Sequence, residues 1–153
     1  MLDLRGYAAI GLRRPKTPAN VGSALRAAEC FGAKLFVFDG RMPKGRLLTD
    51  VNKFHRHVPM IRVDDIYNAA PYDCVPVAVE MTDWSNNLVN YKHPMRAMYI
   101  FGNESMGLSK SDLARCVNVI QIPTNRSLNL AAAVNIVLYD RVMKQLTGKA
   151  QYV

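Results

Sequence analysis

Acidic residues are scarce in this chain. Twelve Asp and Glu stand against twenty Lys and Arg, leaving a net charge of +8 over 153 residues. So basic a small domain points to a polyanionic partner, most often nucleic acid. Cysteine is scarce too. Cys30, Cys74 and Cys116 are widely spaced and form no CxxC pair, which argues against a disulfide framework or a zinc site and fits a reducing compartment. His55 and His57 form an HxH without further acids nearby, so no metal is expected. No apolar run approaches the roughly 18 to 20 residues of a membrane span. The opening MLDLRGYAAIGLRRP has an early acid and a short apolar segment, unlike a signal peptide. A cytoplasmic location and no membrane partner are therefore expected. Aromatics are few and scattered, with Tyr7, Tyr67, Tyr72, Tyr91 and Trp84 reading more readily as packing than as a base-stacking surface. The segment after the first apolar run, IGLRRPKTPANVG, supplies no GxGxxG, which argues against a dinucleotide-binding Rossmann domain.

What is present is half hydrophobic, enough for a sizeable core, and 153 residues without repeat, linker or low-complexity segment read as one domain over 1–153. Short apolar runs at Tyr7 to Leu12, Lys34 to Asp39, Val58 to Val63, Cys74 to Met81, Ala97 to Gly102 and Val117 to Pro123 predict strands. Helical patterns lie between and after them, over Asn20 to Phe31, Ser109 to Arg115 and Leu128 to Leu146. Continuous apolar strands alternating with helices predict an α/β fold, a mostly parallel sheet with helices on both faces. The last helix is apolar on nearly every side, so it needs two burying surfaces, either within a core or between the sheet and a second subunit.

Polar residues concentrate at three strand-to-helix corners. In PANVGSALRAAECFGA, Asn20 sits where a helix begins, and a plain N-cap is its simplest role. Arg26 lies six residues further, about 9 Å along the helix axis. Helical side chains lean toward the N-terminus, so its guanidinium can reach back and meet a phosphate bidentately. In MYIFGNESMGLS, a strand runs into Gly102, where a ligand can approach the backbone closely, and Glu104 follows as a carboxylate in search of a partner. In IPTNRSLNLAAAVNIVLYD, Ser127 and Asn129 flank Leu128 at a helix start. Basic residues cluster after the apolar runs, at Arg13, Arg14 and Lys16, at Arg41, Lys44 and Arg46, and at Lys53 and Arg56 beside His55 and His57. That repeated placement predicts one charged rim.

These three segments resemble, in order, the three motifs of the SpoU branch of the SPOUT RNA methyltransferases, over about residues 18 to 140. NVGSALRAA is similar to the first motif, YIFGNESMGLS to the second and IQIPTNRSLNLAAAVNIVLYD to the third. The resemblance implies a deep C-terminal trefoil knot, a homodimer and S-adenosylmethionine as cofactor. It implies cofactor-binding groups at Val79, Glu80, Gly102, Ile122, Ser127 and Leu130, much of it backbone. The implied reaction is methylation of an RNA ribose 2′-hydroxyl, with Arg26, Asn20, Glu104, Ser127 and Asn129 around the reacting ribose. The chain length resembles minimal members acting on the tRNA wobble position, while GNE at 102–104 resembles longer members. An rRNA substrate and a non-catalytic RNA-binding module are the alternatives.

Overall fold

The computed structural model describes residues 2–43 and 53–148. Lys44 and Arg46 of the basic clusters, and the closing residues 149–153, lie outside the described residues. In chain order the elements are β1 (Tyr7–Leu12), α1 (Pro18–Cys30), β2 (Leu35–Phe38), β3 (Met60–Arg62), β4 (Val75–Val79), β5 (Asn86–Asn87), β6 (Arg96–Phe101), α2 (Lys110–Ala114), β7 (Asn118–Gln121) and α3 (Leu130–Leu146).

The described strands make one seven-stranded sheet in the order β3-β2-β1-β6-β4-β7-β5, and every neighbouring pair is parallel. Alternate side chains of each strand point to opposite faces. On one face Ile10, Leu12, Phe36, Phe38, Val77 and Tyr99 are covered by α1 and α3 through Leu25, Val134 and Leu138. On the other, Ala9, Val37, Ala78, Met98 and Ile100 lie under Leu113 of α2 and Ile66 of a 3-10 turn at Ile66–Ala69. Helices thus cover both faces, as expected, and central strands buried on both sides explain the unbroken apolar runs.

The differences from expectation are local. The Val58 to Val63 run yields only Met60–Arg62, an edge strand whose Ile61 and Arg62 are exposed. β5 is a two-residue strand of asparagines pairing Asn86 with Ile120 and Asn87 with Gln121; backbone bonds hold it, and its side chains carry no strand pattern. Asn20 is not the cap of α1. Thr17 is the N-cap and Pro18 opens the helix, where a missing N–H costs nothing. Asn129, instead, caps α3, accepting from the Ala131 and Ala132 amides.

The C-terminal helix is tied down by polar as well as apolar contacts. Arg141 is buried, and its guanidinium donates to the Pro94 and Met95 carbonyls and the Tyr99 hydroxyl. Lys144 donates to the Leu88 and Tyr91 carbonyls and to Asp140, whose other partner is His93. The segment 88–95 is thereby strapped to α3.

Candidate functional site

A cavity of about 330 Å³ opens beyond the carboxyl ends of β4, β6 and β7, the end of a parallel sheet where ligands bind. Three chain segments wall it. The first, leaving β4, brings Val79, Glu80 and Met81; the second, leaving β6, brings residues Gly102 to Gly107; the third runs from Gln121 through Ser127 to Ala133.

The second segment is a tight loop with clear local causes. Asn103 Oδ1 accepts from the Ser105 and Met106 amides, and the Gly107 amide donates to the Asn103 carbonyl. Gly107 has φ +63°, and a Cβ there would lie 2.6 Å from Glu80 Oε2. A Cβ on Gly102 would lie 2.2 Å from the Gly107 carbonyl carbon. Both glycines are required by close approach. Beneath them Glu80 accepts from the Leu108 amide at 2.7 Å and from its neighbour Met81 at 3.1 Å, so the first segment anchors the second.

Glu104 ties the loop to α1. Its carboxylate accepts from the Lys16 amide at 3.0 Å, the Thr17 amide at 3.3 Å, the Thr17 hydroxyl at 3.0 Å and Asn20 Nδ2 at 2.8 Å. The Thr17 side chain makes no cap bond of its own. A carboxylate from another segment caps this helix, where its charge also meets the positive end of the dipole. Partial burial raises the Glu104 pKa, but hydrogen bonds from Asn20, the backbone and Thr17 outweigh it and hold the carboxyl below its ordinary value. With four donors aimed at it, Glu104 is a fastener rather than a proton acceptor. Asn20 Oδ1 in turn accepts from Asn129 Nδ2 at 2.8 Å. Glu104, Asn20 and Asn129 therefore form one chain of hydrogen bonds joining all three segments singled out in the sequence.

Val79, Glu80, Gly102, Ile122, Ser127 and Leu130 all line the cavity, and so does Glu104. Asn20 and Asn129 adjoin it through Glu104. Arg26 stands on the exposed side of α1 and is not part of the cavity wall. Sequence reasoning placed Lys16 only on the charged rim and missed Thr17; both reach Glu104 through backbone amides that any residue supplies, and Thr17 also through its hydroxyl. It also missed Met81, Met106 and Thr124, wall residues whose neighbours in the motifs were the available signal. Among the described residues, no group of His, Cys, Asp and Glu could hold a metal ion.

The model of the SpoU rRNA Methylase family matches residues 8–139. The chain belongs to this family. A 23S rRNA (uridine(2479)-2′-O)-methyltransferase of Streptomyces viridochromogenes is 26% identical over 152 residues, covering 89% of this SpoU chain and 52% of that protein. The crystal structure of the SpoU methyltransferase AviRb from the same organism, in complex with the cofactor AdoMet, superposes with a TM-score of 0.79 at 23% identity, over 96% of this chain and 64% of that one. A structure described as giving insights into the 2-OH methylation of C/U34 on tRNA matches with a TM-score of 0.78 at 26% identity, over 94% of this chain and 98% of that one. The fold is thus that of solved SpoU enzymes, and the chain spans about half the length of the curated Streptomyces relative.

Proposed function

We propose that this SpoU chain is an S-adenosylmethionine-dependent RNA methyltransferase acting on a ribose 2′-hydroxyl, with tRNA as substrate and the wobble nucleotide as its target. The carrying observation is the cavity, whose three walling segments bring together every residue expected to hold the cofactor. Its volume suits a small cofactor. Its glycine loop packs against itself and Glu80 too closely for a Cβ at Gly102 or Gly107, which fixes the loop backbone along the cavity. Val79, Ile122, Leu130 and Ala133 offer an apolar bed, with Ser127, Thr124 and Glu80 as polar ends. The cofactor would supply an activated methyl group on a sulfonium.

The chain's own part is orientation. Asn129, Asn20 and Glu104 hold the third segment, α1 and the glycine loop in one register, so RNA and cofactor meet in fixed geometry. Arg26 is exposed on α1, the helix that carries Asn20, and we assign it to the RNA rather than to the cofactor. A guanidinium stays protonated, so its role is to grip the phosphate beside the target and to stabilise the alkoxide as the hydroxyl loses its proton. We also take the chain to be a cytoplasmic homodimer of single-domain subunits with a knotted C-terminal region. The packing of β7 between β4 and β5, with segment 88–95 strapped over α3, supports such a threading. Among the described residues, no helix is long and apolar enough to cross a membrane.

The tRNA preference rests on the match over 98% of the tRNA-methylation structure. An rRNA target is the second reading, favoured by the 26% identical rRNA enzyme. Calorimetry should find S-adenosylmethionine binding near one per chain. Mass spectrometry of nucleosides from tRNA and rRNA of cells with and without the protein decides the substrate. A lost 2′-O-methylated nucleoside in tRNA supports the first reading, and a loss confined to rRNA supports the second. Cofactor binding absent at millimolar concentration leaves only a non-catalytic RNA-binding module.

A further inference from the structure

Arg14 is one of the described non-glycine residues with positive φ, at +48°, a conformation that side chains with a Cβ rarely adopt. The surroundings enforce it. The Arg14 amide donates to Asp39 Oδ1 at 2.8 Å, and buried Asp39 is itself gripped by the Arg13 guanidinium. Arg13 donates onward to Asp112 at 2.9 Å. A partly buried acid-base network therefore holds the backbone at Arg14 in an unfavourable turn while its side chain stays exposed.

Two further arginines meet it there. Strand register aligns Leu12 with Phe38 and Phe38 with Arg62, so the ends of β1 and β2 and the side chain of Arg62 lie abreast. Arg62 Nε donates to the Gly40 carbonyl at 2.8 Å. Gly40 has φ +79°, and a Cβ there would come within 3.1 Å of the Arg14 side chain. Arg41 follows directly. Arg14, Arg41 and Arg62 are all exposed and all grouped about Gly40. Chain neighbours of Arg14 lead from the cluster to the cavity, for Lys16 donates from its amide to Glu104 and from Nζ to Ser105. The Arg13 amide donates to Phe101, at the cavity end of β6.

We propose that Arg14, Arg41 and Arg62 form a preset docking patch for the phosphates of the RNA strand that enters the cavity. This deepens the RNA-methyltransferase reading and rests on it. Strained backbone persists where its surroundings over-determine it, and it concentrates at functional positions. Here the strain presents a planar, forked cation, the group best matched to a phosphate. The net charge of +8 and the position beside the cavity select RNA over other anions.

The test measures binding of a fluorescein-labelled tRNA transcript against salt concentration. Each phosphate contact contributes roughly 0.7 to 0.9 to the slope of log K against log salt. Arg14→Gly, Arg41→Ala and Arg62→Ala should each lower the slope by about that amount, with S-adenosylmethionine affinity unchanged. Lys34→Ala, at the amino end of β2, should leave it unaltered. Arg14→Gly also relieves the backbone, so its thermal midpoint should equal or exceed that of the wild type while its RNA binding weakens. A purely structural arginine would show no such opposition. Unchanged slopes in a wild type that binds tRNA overturn the patch but not the methyltransferase. Equal losses in Lys34→Ala overturn it as a diffuse field. So does binding to phosphatidylserine vesicles that Arg14→Gly abolishes while leaving tRNA binding intact. A wild type that binds cofactor but no RNA removes the RNA reading itself, and the patch with it.

Discussion

Glu104 shows how one side chain can serve stability and site geometry together. It caps α1, anchors the glycine loop and reaches Asn129 through Asn20. Glu104→Ala should therefore cost about 1 kcal/mol in urea unfolding, the scale of a lost helix cap. Methyl transfer should fall much further than stability, because the glycine loop, α1 and the third wall segment lose their common fastener. Gly107 is the complementary case. Its left-handed φ and the 2.6 Å approach of Glu80 leave no room for a methyl group. Gly107→Ala should destabilise by roughly 1 to 2 kcal/mol, and calorimetry should show cofactor affinity reduced along with it. If Gly107→Ala binds cofactor as tightly as the wild type, the glycine loop is not a wall of the cofactor site.

Among elements, α3 carries the most unexpected chemistry. Its apolar residues were readable as burial, but Arg141 and Lys144 were not readable as buried or half-buried anchors, since their carbonyl partners in segment 88–95 are identifiable only after folding. Arg141→Met should cost about 2 to 3 kcal/mol, because the Pro94 carbonyl loses its cation and is left dry; chemical denaturation would measure it. His93 makes this region sensitive to pH. Burial lowers its pKa below the ordinary 6.5, with Lys144 and Arg141 acting in the same direction and Asp140 opposing through hydrogen bond and charge. Below 6.5 the unfolded chain binds a proton that the folded chain does not, so stability present above that value is lost as pH falls. Unfolding free energy should decline from about pH 7.5 to about 5.5, and His93→Asn should flatten part of that decline. The strands of the central sheet were legible because burial on both faces forces unbroken apolar runs. β5 was not, because its two asparagines join the sheet through backbone pairing and one bond from the Asn86 amide to the Val119 carbonyl, with no apolar pattern to mark them. The residues lining the cavity were legible through their motifs, Asn20 among the site residues beside them, whereas local spacing alone suggested a cap for Asn20 because its actual partners, Glu104 and Asn129, are 84 and 109 residues away.

For the molecule as a whole, exposed apolar groups remain on α3, with Ile136 at 36% and Tyr139 at 54% exposure, and Tyr139 packs edge-on against Phe31 beyond α1. The proposed homodimer would cover them. Light scattering should then give about twice 17.1 kDa, and Ile136→Glu should halve that mass; a wild-type monomer at micromolar concentration would count against the dimer. The sheet order has a further consequence. β7 is the last of the described strands to be made, yet it lies inside the sheet, between β4 and the small β5. During synthesis, β1 to β6 leave the ribosome first, with β4 paired on one side only and its other edge open to stray strands. The cavity cannot exist in this interval, because its third wall, Gln121 to Ala133, follows β7. A nascent chain of this protein would therefore lack the cavity and stay exposed to misassembly until the segment Gln121 to Ala133 has emerged, and a ribosome stalled before that point would carry an aggregation-prone chain.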